Sequence, residues 1–251
     1  MVRGFELFRD YFKDHTDKYI LIGGTACDLV MRGMDRDFRA TKDLDIVLIL
    51  EALDAAFANT FWSFIQEGKY KNIQKSTGKK LFYRFYEPED TAFPFMIELF
   101  SRKPDVFTLP DESRATPIPL EEDVSSLSAI LLDNAYYEFI NDGKRISEGA
   151  SFISEEYLIP LKARAYVDLS RRKDAGETIG SRDIKKHKND VFRLYQILSA
   201  DTDMSLPPSI TDDMRRFLDR VHEEPPDLKS LGMRNVALEE VISNLKRIYH
   251  L

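Results

Sequence analysis

The 251-residue chain contains a single cysteine, Cys27, so it cannot form an internal disulfide and cannot build a cysteine-rich zinc site. It also contains no apolar run near the roughly 20 residues that a membrane-spanning helix needs. Residues 1–15 carry acids and aromatics in place of the apolar core of a signal peptide. Together these absences favour a protein of the reducing cytoplasm that has no membrane partner.

Basic residues are also fewer than acidic ones: the chain has 36 lysines and arginines, 43 acidic residues and a net charge of −7. A chain with this net charge is not expected to bind nucleic acid nonspecifically. The stretch RRKDAGETIGSRDIKKHK, residues 171–188, is an exception because it is rich in lysine and arginine. This basic segment could hold phosphates locally or form a solvated face, and composition alone favours the solvated face.

Hydrophobic periodicity predicts an α+β protein, in which strands and helices mix up to residue 141 and the chain is helical after it. We therefore expect a mixed-sheet domain over residues 1–150 and a helical domain over residues 151–251. The predicted elements are a helix over 5–15, strands at KYILIGG, DLDIVLIL and FPFMIELFS, an edge strand at SLSAILLD, a hairpin turning near Gly78, helices over 51–66 and 134–141, a loop over 103–119, and four later helices starting near Pro160, Ser181, 209 and 235.

The second predicted strand, DLDIVLIL, begins with two acids that share one face, because side chains alternate along a strand. Asp43 and Asp45 lie at the head of a face that becomes apolar further along. Two carboxylates this close repel each other. They could be solvated, paired with Arg39 or Lys42, or bound to a divalent cation, which prefers oxygen ligands. The pattern alone favours solvation or pairing.

A third acid, Glu98, interrupts the apolar run FMIELFS. A charge inside such a strand is costly unless it is paired or bound to metal. If this strand lies beside DLDIVLIL, three carboxylates converge and could hold two metal ions, as in phosphoryl or nucleotidyl transfer. The alternative is a salt bridge between Glu98 and Arg84 on the preceding strand.

The stretch ILIGGTACDLV predicts a strand, a turn and a helix. Gly23 and Gly24 would let the backbone approach a ligand closely, and a helix N-terminus favours anions. Thr25 could cap the helix and donate its hydroxyl to a phosphate oxygen. The stretch is neither G-x-G-x-x-G nor a P-loop, and a tight packing turn explains the two glycines equally well.

These residues together resemble a known family. The pattern IGGTACDL followed by R-x-T-x-D-x-D-I resembles the N-terminal signature of the nucleotidyltransferase fold, and most closely that of the AbiEii/AbiGii toxin family. Two later stretches, YLIPLKARAYVDLSRRKDAG and SRDIKKHKNDVFRL, resemble the family's lysine helix and its later Lys/Asp segment. The resemblance covers roughly residues 19–195. It departs from the broader pattern at the glycine turn, where many members have Gly-Ser and this chain has Gly-Gly-Thr, and at Glu98, where aspartate is common.

The resemblance implies a nucleotidyltransferase-like core over residues 1–150 and a helical domain over 151–251 that contributes lysine and aspartate side chains to the site. Mg²⁺ or Mn²⁺ would be held with a nucleoside triphosphate by carboxylates, and an acceptor hydroxyl would attack the α-phosphate. The implied catalytic residues are Asp43, Asp45, Glu98, Lys162 and Asp190, of which Asp43, Asp45 and Glu98 would bind metal. The implied nucleotide-binding residues are Gly23, Gly24, Thr25, Arg39, Thr41 and Lys188.

The resemblance further implies the toxin of a toxin–antitoxin or phage-defence pair, with tRNA or another RNA as acceptor and a cognate antitoxin as partner. Two other functions stay open: an antibiotic-type transferase acting on a small molecule, and a scaffold that binds without turnover. Simpler roles also stay open for two residues of the later segment. Lys162 could be an exposed helix lysine, and Asp190 could only pair with Lys186 or Arg193.

Overall fold

The computed structural model describes residues 2–72, 83–103, 115–118 and 128–251. The predicted turn near Gly78 and most of the predicted loop over 103–119 lie outside these residues. The chain divides into two compact units, Met1–Ser154 and Glu155–Leu251. Residue 150, where the sequence placed the domain boundary, is the first residue of the last strand of the first unit.

The first unit combines a mixed sheet with four α-helices among the described residues, which confirms the predicted α+β class. Its elements are α1 (Phe5–Phe12), β1 (Tyr19–Ile22), α2 (Gly23–Arg32), β2 (Asp43–Leu48), α3 (Ala55–Glu67), β3 (Arg84–Tyr86), β4 (Met96–Ser101), β5 (Ala115–Pro117), β6 (Ser128–Leu131), α4 (Asn134–Asp142), β7 (Lys144–Ser147) and β8 (Ala150–Ile153), with a short 3-10 turn at Lys13–His15.

The described strands form one sheet in the order β5-β6-β4-β2-β1-β8-β7, and β3 also pairs with β4. Strand β2 lies near the middle, antiparallel to β1 and parallel to β4. Strand β6, which the sequence placed at an edge, instead lies between β4 and β5. Because β1 and β2 run in opposite directions, the end of β1 and the start of α2 lie beside the start of β2.

Strands β7 and β8 form a hairpin in a region that the sequence predicted to be helical. The turn between them places Glu148 and Gly149 at positive φ, as a tight two-residue hairpin turn requires. Both strands are four residues long, too short to show a clear alternation of polar and apolar residues. The helical prediction for this stretch was wrong.

Aromatic rings of α1 and α3 supply much of the core of the first unit. Asp54 caps α3 by accepting a 2.8 Å hydrogen bond from the backbone N–H of Phe57. Phe12 of α1 lies 5.7 Å from Phe57 and 5.6 Å from Phe64, measured between ring centres. This aromatic packing holds both helices together.

The second unit is helical: α5 (Glu155–Asp174), α6 (Ser181–Tyr195), α7 (Pro208–Glu223), a 3-10 turn (Lys229–Leu231) and α8 (Leu238–Ile248). Helix α5 begins before Pro160, where the sequence predicted its start, so this proline lies inside the helix. Within the described ranges, we find no helix that is both long enough and apolar enough to cross a bilayer.

Candidate functional site

The two aspartates of β2 share one face of the sheet with Glu98 of β4. Asp45 pairs in register with Ile22 of β1 on one side and with Glu98 on the other, and Asp43 pairs with Met96. Residues paired across neighbouring strands point to the same face, and so do residues two apart on one strand. Strand β4 therefore lies beside β2, which was the condition under which the sequence analysis expected the three carboxylates to converge.

The two glycines at the start of α2 pack closely, Gly23 against Asp45 of this acidic face and Gly24 against Thr41. Gly23 has a φ of +67°, and a Cβ built there would lie 1.8 Å from Oδ2 of Asp45. A Cβ on Gly24 would lie 2.4 Å from Oγ1 of Thr41. Both positions therefore exclude a side chain, and the N-terminus of α2 comes next to the Asp45 carboxylate. The positive end of the helix dipole favours a carboxylate there.

Thr25 stabilises the start of β2. Its side chain is fully buried, and its hydroxyl donates a 2.9 Å hydrogen bond to the backbone carbonyl of Asp43. The predicted capping role is wrong, because α2 has no side-chain cap and its N-cap residue is Ile22. Thr25 thus fixes the backbone that carries Asp43, and a contact with a phosphate stays a prediction.

Glu98 forms an ion pair with Arg84 of β3, which was the alternative interpretation of its charge. The side chain of Glu98 is 14% exposed, so the arginine offsets much of the cost of placing a carboxylate there. This ion pair does not test the metal-ligand role of Glu98, which stays a prediction.

In the part of the chain that the structure describes, no three histidine, cysteine or acidic side chains are arranged to hold a metal ion. Mg²⁺, however, is usually held by one or two protein carboxylates together with substrate phosphates and water, and seldom by an all-protein cage. Asp43 and Asp45, half-buried on one face, fit that mode of binding.

The segment before β2 carries the other predicted nucleotide-binding residues of this unit. Arg39 is half-buried, and its guanidinium carbon lies 5.1 Å from the centre of the Phe38 ring. Lys42 places its Nζ 3.9 Å from the centre of the Phe95 ring. Thr41 occupies the space that a side chain on Gly24 would need. Arg39 and Thr41 therefore lie on the chain segment that leads into the acidic face.

In the second unit, two of the predicted site residues contact each other. Lys162 of α5 is buried, and its Nζ lies 3.5 Å from Oδ2 of Asp190 on α6. The other carboxylate oxygen of Asp190 lies 3.1 Å from a guanidinium nitrogen of Arg193. Lys162 is thus not the exposed helix lysine of the simpler interpretation, and the predicted Asp190–Arg193 pairing is present.

Lys188 is not part of that pair. It precedes Asp190 by two residues, which turns its side chain roughly 200° around the helix. Its Nζ donates a 2.7 Å hydrogen bond to the backbone carbonyl of Glu224 and lies 5.4 Å from the centre of the Tyr166 ring. Burial lowers the pKa of the Lys188 ammonium, and the nearby Glu224 carboxylate partly opposes that effect.

No family model and no curated protein matches the sequence. Two crystal structures match the chain at low similarity. The polyadenylate synthase of Megavirus matches with a TM-score of 0.38 and 11% identity over 88% of this chain, which spans only 36% of that protein's length. A proposed nucleotidyltransferase from H. pylori matches with a TM-score of 0.40 and 16% identity over 96% of this chain and 89% of its own.

Sequence reasoning missed a pocket in the second unit. It lies on the side of α6 that carries Lys188, and side chains of α5, α7 and Glu224 complete its lining. The only signal in the sequence was the basic segment 171–188. Tyr166 and Arg220, which also line the pocket, lie outside that segment and could be found only from the packing of the three helices.

Proposed function

We propose that the chain is a metal-dependent nucleotidyltransferase, which moves a nucleotide from a nucleoside triphosphate to an acceptor hydroxyl. One observation carries the proposal: Asp43 and Asp45 share a face at the start of a central strand, against the N-terminus of α2. That arrangement combines paired oxygen ligands with a helix N-terminus, which favours anions.

In this proposal Asp43 and Asp45 hold Mg²⁺ or Mn²⁺ together with the triphosphate. When bound, the metal supplies positive charge that offsets the charge developing on the reacting phosphate. The glycine turn of Gly23 and Gly24 positions the start of α2 for close approach to the phosphates. Thr25 keeps the backbone of Asp43 in place, so its main contribution is to position the carboxylates.

The proposed reaction forms one bond and breaks one. The oxygen of the acceptor hydroxyl attacks the α-phosphorus, the bond between that phosphorus and the bridging oxygen to the β-phosphate breaks, and pyrophosphate leaves. The hydroxyl proton passes to a carboxylate of the acidic face. Preorganised positioning and charge neutralisation supply most of the rate acceleration in such reactions.

Glu98, Arg39 and Thr41 complete the proposed site in the first unit. Glu98 serves as the third carboxylate, held by Arg84 on one side. Arg39 and Thr41 contribute to nucleotide binding from the segment before β2.

We assign the second unit a supporting role in this proposal. Lys162 contacts phosphate or helps to activate the acceptor, and Asp190 fixes its ammonium group. The predicted nucleotide-binding role of Lys188 is the weakest of these assignments, because its side chain points away from Asp190.

The sequence resemblance supports a more specific proposal. The chain would be the cytoplasmic toxin of a toxin–antitoxin or phage-defence pair, with tRNA or another RNA as the acceptor and an antitoxin protein as its partner. An antibiotic-type transferase and a non-catalytic scaffold are the competing functions. The three functions differ in the acceptor: an RNA, a small molecule, or none.

Nucleotide transfer tests the proposal. The purified full-length chain is incubated with Mg²⁺, each α-labelled nucleoside triphosphate in turn, and either total RNA or an aminoglycoside. Asp43→Asn and Asp45→Asn remove a charge at nearly constant size, and Asp10→Asn makes the same change at an exposed position of α1. Label in RNA that requires Mg²⁺ and both site aspartates supports the toxin proposal, and label in the small molecule supports the antibiotic-type one. Absence of transfer to any acceptor would contradict the enzymatic proposal.

A further inference from the structure

The second unit contains a pocket of about 330 Å³, within the size range of small-molecule sites. It lies between α5, the first two turns of α6 and the C-terminal end of α7. Lys162 and Asp190 do not line it. The lining residues are Tyr166, Ser170, Lys173, Asp174, Ser181, Ile184, Lys185, Lys188, Arg220 and Glu224.

The charged side chains of the pocket leave a net positive charge. Arg220 is neutralised by Asp174, with 2.6 Å between their nitrogen and oxygen atoms. The Glu224 side chain is 76% exposed, and its carboxylate lies 3.9 Å from Lys188. Lys173 and Lys185 form no ion pair of this kind with the acids of the pocket. Four cationic and two acidic side chains therefore give the lining a charge of about +2 at neutral pH.

Neutral polar groups and apolar surface complete the lining. Lys173 donates a 2.9 Å hydrogen bond from Nζ to Oγ of Ser181, which fixes both groups at the first turn of α6. Ser170 is buried and lines the pocket together with Tyr166. The Tyr166 ring and Ile184 add apolar surface. The pocket can thus receive an anion and a compact organic group together.

We propose that this pocket binds a small phosphomonoester, whose phosphate contacts Lys173, Lys185 and Lys188 and whose organic part packs against Tyr166 and Ile184. A phosphate dianion matches the charge of the lining. The proposal goes beyond nucleotidyl transfer and does not depend on it, because every lining residue belongs to the second unit. It also gives Lys188 a ligand on the side of α6 that faces away from Asp190.

A small ligand fits the pocket better than an RNA strand does. The basic residues around it are largely engaged with acids of the same region: Arg172 with Glu177 at 2.6 Å, and Lys186 with Asp183 at 3.0 Å. An RNA backbone needs a row of available cations along an open surface. Lys173, Lys185 and Lys188 instead face one concavity.

Calorimetric titration of the full-length chain tests the pocket, with inorganic phosphate, adenosine monophosphate and ribose 5-phosphate as probes in EDTA. We expect one equivalent of a phosphomonoester to bind, and Lys185→Ala to weaken it about tenfold, the loss of one charge-assisted hydrogen bond. Lys185 is exposed, so its replacement spares the fold. Lys186→Ala is the matched control on the same helix, and it should leave the affinity unchanged.

Four outcomes would overturn the proposal. One is that no probe binds, and another is that Lys186→Ala weakens binding as much as Lys185→Ala, which would indicate a diffuse basic surface. A third is that an RNA oligonucleotide displaces the phosphomonoester and binds more tightly. The fourth is loss of binding in Asp45→Asn, which would place the ligand at the acidic face of the first unit. Retained binding in Asp45→Asn supports the pocket whatever the outcome of the transfer assay.

Discussion

At Gly23 the site tolerates no side chain for two separate reasons. The residue has a φ of +67°, which costs an L-residue about 1–2 kcal/mol. A Cβ there would also overlap the Asp45 carboxylate, which must then move. The first reason concerns stability, and the second concerns the position of a proposed metal ligand.

Replacing two glycines of the first unit separates these effects. Gly149 has a φ of +77°, but a Cβ there meets its nearest atom at an ordinary 3.7 Å. We expect Gly149→Ala to lower the free energy of unfolding by about 1–2 kcal/mol and to leave nucleotide transfer intact. Gly23→Ala should cost more stability and also reduce transfer at least tenfold. Urea denaturation and the transfer assay measure both, and equal transfer in the two variants would contradict the proposed role of Asp45.

Whether the sequence could predict a contact depends on how far apart the two residues lie along the chain. The face shared by Asp43 and Asp45 follows from the alternation of side chains within one strand. The contact between Gly23 and Asp45 depends on β1 running antiparallel to β2, which no local pattern encodes. The hydroxyl of Thr25 bonds to Asp43 instead of capping its helix for the same reason: its partner is 18 residues away in sequence.

At the scale of elements, helix α5 accommodates a proline in its interior. Pro160 has no backbone N–H, so the carbonyl of Glu156, four residues earlier, lacks its usual helical donor. The hydroxyl of Tyr249 donates a 2.7 Å hydrogen bond to that carbonyl from the end of α8. The sequence predicted a helix start at Pro160 because proline suits the first turn, and it could not reveal a donor 93 residues away.

A double-mutant cycle tests this link between α8 and α5. Tyr249→Phe should lower the free energy of unfolding by about 1–2 kcal/mol, since it leaves a carbonyl of Glu156 without its donor. The loss should be smaller in a Pro160→Ala background, where residue 160 regains an N–H for the same carbonyl. The same loss in both backgrounds, measured by urea denaturation, would show that the tyrosine acts through packing alone.

The buried contact between Lys162 and Asp190 joins α5 to α6. Lys162→Met removes the ammonium group from the buried Asp190 carboxylate, which keeps its ion pair with Arg193, so we expect about 3–5 kcal/mol of destabilisation. The double variant Lys162→Met/Asp190→Leu removes both charges and should recover part of that loss. If Lys162 also takes part in catalysis, the double variant is folded but inactive. Full transfer activity in it would restrict Lys162 to a structural role.

The β7–β8 hairpin shows why part of the fold escaped prediction. Its strands are short, and its register is set by the Glu148–Gly149 turn and by pairing of β8 with β1. Long elements with a clear period, such as α3 and β2, were predictable from their own residues. Short elements that depend on distant partners were not.

At the scale of the whole molecule, a net charge of −7 makes RNA binding depend on local basic surface. If the acceptor is RNA, the outward side chains of segment 171–188 are the candidate contacts, and Arg171 is 74% exposed. Arg171→Glu/Arg182→Glu should then weaken RNA binding and reduce its dependence on salt. Arg215→Glu/Arg216→Glu makes the same charge change on exposed residues of α7. Equal weakening by both pairs would indicate an effect of net charge and not a contact surface.

The central claim is that the acidic face and the glycine turn together form a metal-dependent nucleotide site. Equilibrium binding of a nucleoside triphosphate to the full-length chain, with and without Mg²⁺, tests it most directly because no acceptor is required. The account predicts Mg²⁺-dependent binding that Asp43→Asn and Asp45→Asn each weaken at least tenfold and that Asp10→Asn leaves unchanged. Binding that is independent of Mg²⁺, or equally strong in all three variants, would contradict it.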